Sequence, residues 1–257
     1  MKQLTHKTSY DFNSGVVLVT GASRGIGKQI ALDLLNSNCL VIGVYSSDES
    51  SANNCREDFK MYGDRFELIK KDVSIKSNVS YIFEHANGKW GRGVEMLVNN
   101  AGILKQGDFS ELSAAQWSQT LKVNLEAPFL LCQEFLKCCK NKGSIVNIAS
   151  IGGQIGGDKA PDYAASKAAI ISLTRSIAKI GSKNNIRSNA VSPGWIQTEI
   201  FTEKQLLKLK IEAKSQIPLG RMGNSNEVSK AVMFLLSDAS SYITGHCLNV
   251  NGGMYFG

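Results

Sequence analysis

Three side chains in the middle of this chain, Ser150, Tyr163 and Lys167, could together carry out a proton transfer. Tyr163 and Lys167 stand four apart in a segment, Tyr163 to Lys179, rich in Ala, Ile and Leu. That composition predicts a helix, and on a helix the spacing puts both side chains on one face, one turn apart. A free phenol has a pKa of about 10, and a neighbouring ammonium favours the phenolate, so Lys167 is expected to lower the Tyr163 pKa. A tyrosine tuned in that direction can pass a proton to or from an alcohol oxygen. A Tyr and a Lys at helical spacing are also an ordinary solvated pair. The surrounding elements must decide between the two.

The elements that would position these groups begin with Gly15 to Thr20, a short apolar, β-branched run suited to a buried parallel strand. Gly21-Ala22-Ser23-Arg24-Gly25-Ile26-Gly27 follows at once, and an amphipathic helix is expected from about Lys28 to Leu35. Strand, glycine turn and helix are the parts of a dinucleotide-binding unit. Glycines let the backbone approach a pyrophosphate, and the helix N-terminus presents free N–H groups to it. A second buried strand, Cys39 to Tyr45, ends in Ser46-Ser47-Asp48. An NAD site usually offers an acid at this strand end and an NADP site a cation. Arg24 in the glycine loop, with Ser46 and Ser47 as donors to a phosphate, points to NADP(H), and Asp48 is the competing acid.

Phe66 to Lys70 predicts a third strand, followed by Asp72-Val73, where the acid suits either an adenine amino group or the N-cap of a helix from about Ile75. Met96 to Val98 is a fourth strand, ending in Asn99-Asn100-Ala101-Gly102, which reads either as a polar tie beside a cofactor cleft or as an Asn/Gly turn. Ala114 to Lys137 is helical, but Asn124 is a poor residue for a helix interior and Pro128 follows closely. A kink or a buried water site is expected there. Ser144 to Ala149 is a fifth strand that delivers Ser150, and a glycine-rich loop, Gly152 to Gly157, leads to the Tyr163 helix. Arg187 to Val191 is a sixth strand. From Trp195 to about Ile217 the chain turns polar and helical, as in an inserted substrate lid, before a helix at Glu227 to Leu236 and a last strand at Leu248 to Val250. Strand and helix alternate throughout, so the expected fold is a single α/β domain, a Rossmann-type doubly wound parallel sheet with helices on both faces, over residues 15–257.

Composition narrows the function classes. The 257 residues, 43% of them hydrophobic, suffice for one sizeable core. No apolar run approaches the roughly 20 residues of a membrane span. Met1 to Ser14 is polar without an apolar signal core, which predicts a short tail (residues 1–14) and a cytoplasmic protein. The six cysteines form no Cys-x-x-Cys pair and only three histidines are present, which argues against zinc, a disulfide framework or a Ser-His-Asp hydrolase. No metal is expected. The net charge of +7 is spread along the chain and is compatible with anionic ligands or an acidic partner, with no aromatic-basic nucleic-acid signature.

Taken together, the chain resembles the short-chain dehydrogenase/reductase family over nearly its whole length. Thr20 to Gly27 is similar to the family's Thr-Gly-x-x-x-Gly-x-Gly loop, Asn99 to Gly102 to its Asn-Asn-Ala-Gly motif, and Asn124, Ser150, Tyr163 and Lys167 to its catalytic set in order and spacing. The segment with Pro193, Gly194, Ile196 and Thr198 resembles the one that meets the nicotinamide. The resemblance implies hydride delivery from NADPH to a carbonyl carbon, Tyr163 as proton donor, and Ser150 holding the carbonyl. Lys167 would bind the nicotinamide ribose and Asn124 a relay water. Within the family, Tyr242-Ile243-Thr244-Gly245 and Val250-Asn251-Gly252-Gly253-Met254-Tyr255 resemble 3-oxoacyl-acyl-carrier-protein reductases, whereas Ile103 to Trp117 is of a more general form. That likeness implies a homotetramer and an acidic carrier protein gripped at Lys137 and Lys179, where the relatives carry arginines; solvated lysines are the alternative.

The expected function is therefore an NADPH-dependent reductase of 3-oxoacyl thioesters on acyl carrier protein. Two alternatives stand beside it. One is a reductase or dehydrogenase of another small ketone or alcohol, such as a sugar, polyol or secondary-metabolite intermediate. The other is a cofactor-sensing protein without catalysis, against which the intact Asn-Ser-Tyr-Lys set argues.

Overall fold

Seven strands form one parallel sheet in the computed structural model, which describes residue 10, residues 12–199 and residues 202–257. They are β1 (Val16–Thr20), β2 (Leu40–Tyr45), β3 (Phe66–Lys70), β4 (Met96–Asn99), β5 (Gly143–Ile148), β6 (Ile186–Pro193) and, after an excursion, β9 (Cys247–Val250). The spatial order is β3-β2-β1-β4-β5-β6-β9. Between them run α1 (Gly25–Asn36), α2 (Glu49–Phe59), α3 (Lys76–Trp90), α4 (Ala114–Leu121), α5 (Ala127–Cys138), α6 (Gly152–Ile155) and α7 (Pro161–Gly181). The excursion holds β7 (Ile196–Gln197), α8 (Glu203–Gln216), β8 (Gly223–Asn224) and α9 (Ser225–Leu236), with β7 and β8 paired apart from the main sheet.

The apolar runs explain the layering. Successive strand residues face opposite sides of a sheet, so a continuous run of Val and Leu requires cover on both. Val17 and Val19 of β1 pack with Ile30, Leu34 and Val232 on one face. Val16 and Leu18 pack with Ile82, Leu131 and Phe135 on the other. The described part of residues 1–14 also contributes: Tyr10 and Phe12 pack against the first of these clusters, while residues 1–9 and 11 lie outside the described set.

Two local differences from the sequence reading have physical causes. Gly152 to Ile155, read as loop, forms the short helix α6, because Gly153 lets it lie directly on α7. The stretch read as a lid resolves into a two-residue strand and a helix capped by a reciprocal Thr202–Gln205 box. The order reverses at β1, whose neighbours are β2 and β4, so the C-terminal ends of β1 and β4 flank the crevice in which such sheets take ligands.

A half-buried arginine fastens the far end of the sheet to its cover. Arg187 of β6 donates to the carbonyls of Leu235 (2.7 Å), Leu236 (3.1 Å) and Ser237 (3.0 Å), closing the C-terminus of α9. Replacing it with Met should leave three last-turn acceptors without that donor and cost about 3 kcal/mol. The urea midpoint, measured at constant slope, checks this; a loss below about 1 kcal/mol would mean that water takes over the capping.

Candidate active site

The glycine loop is built for a close approach. Gly21 and Gly25 hold φ values of +65° and +55°, a region that favours glycine. A Cβ on Gly27 would collide with the Gly21 carbonyl oxygen and the Asn100 side chain. The loop opens α1, which has no side-chain cap and no acid in its first turn. Its first N–H groups are therefore left for an anionic ligand.

The loop is locked to β4 by residues far apart in sequence. Thr20 Oγ1 accepts from the backbone N–H groups of Asn100 and Ala101, both at 3.0 Å. Asn100 Nδ2 donates to the carbonyls of Thr20 (2.9 Å) and Gly21 (3.2 Å). Asn99 Nδ2 donates to Asn147 Oδ1 at 2.7 Å, and Asn147 Nδ2 to Thr174 Oγ1 at 2.9 Å. One polar chain thus ties β4, β5 and α7 beneath the crevice.

The crevice is a cleft of about 470 Å³ lined by Gly21, Ser23, Arg24, Gly25 and Ile26 of the loop, Ser46 and Ser47 after β2, and Asp72 and Val73 after β3. Asn100, Ala101, Gly102, Tyr163, Lys167 and Thr198 also line it. Asp72 does not cap α3, whose N-cap is Ile75. It accepts instead from Ser74 N (2.9 Å) and Ser74 Oγ (2.7 Å), which fixes it at the cleft. Asp48 is already engaged: it caps α2 through Ser51 N (3.0 Å) and Ser51 Oγ (2.8 Å), and the Arg24 Nε lies 3.7 Å away. The Ser51 bonds, and then Arg24, hold its carboxyl below the usual range. Lys71, which carries no motif in the sequence, adds a second cation to this end of the cleft.

At the other end stand the groups expected to transfer a proton. Ser150, Tyr163 and Lys167 converge as their spacing implied. The Ser150 hydroxyl lies close enough to the Tyr163 hydroxyl to favour its ionised form, and it accepts from Gly152 N at 3.2 Å. Lys167 Nζ donates to the Ile148 carbonyl at 2.6 Å and sits 5.6 Å from the Tyr163 ring centre. The expected lowering of the Tyr163 pKa is absent from this environment. Burial pushes it up, with Ser150 pulling the other way, while burial pushes Lys167 down to about 8. Desolvation of the charged forms sets both shifts.

Asn124 explains the irregular helix. Between α4 and α5 the chain makes a wide π turn, Lys122–Glu126, and Pro128 falls in the first turn of α5, where a missing N–H is tolerated. The fully buried Asn124 accepts from Ile103 N (2.8 Å) and donates to Ile103 O (3.0 Å) and Ser166 Oγ (3.1 Å). Ser166 in turn donates to the Tyr163 carbonyl at 2.7 Å. Thr120 and Asp162 give no sign of themselves in the sequence: Thr120 Oγ1 donates to the buried Asp162 carboxylate at 2.6 Å, joining α4 to α7 one residue before Tyr163. Their separation of 42 residues left no local signal.

The remaining expected residues lie behind or beside the cleft. Gly194 donates its N–H to Val250 O (2.9 Å) and has no room for a Cβ, which would come 2.8 Å from Asn251 Cα. The Pro193 carbonyl accepts from Ile151 N at 2.9 Å, steadying the Ser150 turn. Ile196 belongs to the core and borders a separate hollow with Trp195 and Ile217, outside the cleft. Among the described residues no cluster of three or more metal-ligating side chains occurs.

The clearest test of this geometry is Gly153, where a Cβ would come 2.6 Å from Lys167 C and 2.7 Å from Ala168 N. Gly153→Ala should push α6 off α7 and separate Ser150 from Tyr163, lowering kcat about 100-fold. Cofactor titration should remain near wild type, since Gly153 lies outside the cleft lining; equal loss of both would assign Gly153 to folding alone.

Known proteins resemble this chain over most of its length. A family model described as Enoyl-(Acyl carrier protein) reductase matches residues 21–255. The chain is 38% identical over 242 residues to the 3-oxoacyl-[acyl-carrier-protein] reductase FabG of Aquifex aeolicus, covering 93% of this chain and 97% of that one. It is also 38% identical over 243 residues to the protein of the same name from Pseudomonas aeruginosa, with 93% and 97% covered. Among solved structures it is similar to a Brucella melitensis short-chain dehydrogenase/reductase described as glucose/ribitol dehydrogenase, with a TM-score of 0.90, 32% identity, and 97% and 100% of the two chains covered. The chain belongs to the short-chain dehydrogenase/reductase family and is an oxidoreductase acting on a CH–OH or C=O group.

Proposed function

We propose that this protein reduces the 3-oxo group of an acyl thioester carried on acyl carrier protein, using NADP(H), as a cytoplasmic homotetramer. The observation that carries the reading is the Ser150–Tyr163 hydroxyl pair beside the cleft, with burial raising the tyrosine pKa so that the phenol keeps its proton. Carbonyl reduction requires a proton donor at that place. The names of the Aquifex and Pseudomonas relatives support the substrate class.

The residues present fit a dinucleotide. The uncapped α1 N-terminus and the side-chain-free Gly21 and Gly27 suit a pyrophosphate. Arg24, Ser46, Ser47 and Lys71 suit a 2′-phosphate, because Asp48 is already bonded to Ser51. Asp72 and Val73 suit the adenine, and Asn100, Ala101, Gly102, Pro193, Gly194 and Thr198 the nicotinamide half. When bound, the reduced nicotinamide supplies the hydride. Tyr163 then gives its proton to the developing alkoxide, and Ser150 holds that oxygen. Lys167 orients the nicotinamide ribose, and Asn124 together with the opened π turn serves a water relay. The resemblance would have the acidic carrier met at Lys137 and Lys179, but neither is well placed for it. Lys137 is 3.1 Å from Glu134, and Lys179 lies about 24 Å along α7 from Tyr163 at 1.5 Å per residue. The name of the Brucella neighbour favours one second reading, a sugar or polyol dehydrogenase on the same machinery.

NADPH oxidation with an acetoacetyl thioester tests the substrate class. Rapid turnover that disappears in Tyr163→Phe supports the reading, and turnover of polyols alone would favour the second. With NADPH against NADH, Arg24→Ala should raise the KM for NADPH at least about tenfold and leave that for NADH unchanged; an unaltered preference removes Arg24 from the 2′-phosphate site.

A pH profile tests Lys167. Its folded pKa is lowered to about 8, so the proton is present below pH 8 and lost above it. The kcat/KM for NADPH, which reports the free enzyme, should fall on the alkaline side with a midpoint near 8. In Lys167→Arg, whose side chain stays protonated, that limb should move upward by a unit or more in whatever activity survives.

A further inference from the structure

The helix α8 has an outer face that no other described residue covers. Leu206, Leu209 and Ala213 turn α8 inward, packing with Trp195, Ile217 and Met222. On the opposite face, Leu207 and Ile211, four residues apart, are each 65% exposed. At 100° per residue, the exposed Lys204 and Lys208 flank this pair on one side, and the exposed Lys210 and Lys214 on the other. Lys208 is 3.7 Å from Glu212. Lys204, Lys210 and Lys214 have no ion pair among the described residues. The result is a narrow aliphatic stripe between two rows of ammonium groups. The same helix begins at the cleft mouth, where Gln205 Nε2 donates to Gln106 Oε1 at 3.3 Å across from the loop after β4, and Thr198 and Glu199 just before it line the cleft.

We infer that this outer face of α8 is the docking surface for an acidic helix of the acyl carrier protein. The inference rests on the carrier-thioester reading above and names its partner surface. A stripe two aliphatic residues wide fits the apolar face of one helix, and lysines on both flanks fit a helix edged by carboxylates. A membrane fits less well, since interfacial helices bury a broader apolar face usually containing aromatics, and Glu203–Gln216 holds none. Docking here sets the carried thioester above the opening between α8 and the loop that carries Gln106. Lys137 and Lys179, by contrast, lie at the C-terminal ends of α5 and α7, remote from Tyr163.

The experiment uses the full-length protein and two substrates, acetoacetyl carrier protein and the small acetoacetyl N-acetylcysteamine thioester. In Lys204→Glu/Lys210→Glu/Lys214→Glu, KM for the carrier-bound substrate should rise at least about tenfold and lose most of its salt dependence. kcat/KM for the small thioester should stay within about twofold. Leu207→Ser/Ile211→Ser should weaken carrier use without altering the salt dependence. Equal losses on both substrates would overturn the inference, as would an unchanged carrier KM in both variants. So would a loss confined to Lys137→Glu/Lys179→Glu. Binding to phosphatidylglycerol vesicles that the lysine variant abolishes, with carrier KM unaffected, would reassign the face to a membrane. Wild-type enzyme that reduces neither thioester overturns the proposed function itself, a result distinct from any in which only the α8 variants behave like wild type.

Discussion

The site depends on holding an ammonium group out of water. Lys167 is 4% exposed and has the Ile148 carbonyl as its hydrogen-bond acceptor. A desolvated amine holds its proton weakly, which is why its pKa falls to about 8. The arrangement survives because β5 ends at the right height to offer that carbonyl, and because α6 lies against α7 where Gly153 has no side chain. The same dry setting raises the phenol beside it. A proton donor and a poised cation are thereby maintained side by side without a salt bridge between them.

A second constraint keeps this end of the molecule in register with the glycine loop. Thr20, Asn99, Asn100, Asn147 and Thr174 form hydrogen bonds running from β1 through β4 and β5 to α7. Buried polar groups are costly unless paired, so these bonds specify one alignment of strand ends. That alignment opens the crevice between β1 and β4 and aims both the α1 N-terminus and the Tyr163 hydroxyl into it. The Asn124 turn performs the corresponding service from the other side, linking the loop at Ile103 through Ser166 to the backbone of Tyr163.

Charge is divided between two regions of the surface. Where β2 and β3 end, Arg24 and Lys71 line the cleft while Asp48 is held by Ser51. On α8 the lysines face outward, and the helix is held by its inner aliphatic side and by the Gln205–Gln106 hydrogen bond. A net charge of +7 says little by itself. Its placement separates the cations that line the cleft from the lysines on the outer face of α8.

Much of this was legible in the chain alone, for reasons of spacing. Continuous β-branched runs such as Val16 to Val19 demand cover on two faces, so alternating strands and helices imply the doubly wound sheet. Glycines between strand and helix and a Tyr–Lys pair one turn apart are local patterns, and local patterns survive folding. Tertiary structure decided what depends on distant neighbours. Thr120 and Asp162 meet across 42 residues, and Thr20 meets Asn100 across 80. Ile196 turned into the core because β7 pairs with β8. The direction of the Tyr163 shift reversed the simple expectation, since an ammonium lowers a phenol's pKa only when its attraction exceeds the desolvation that brings the two together. Burial is a property of the assembled fold, and no spacing along the chain encodes its depth.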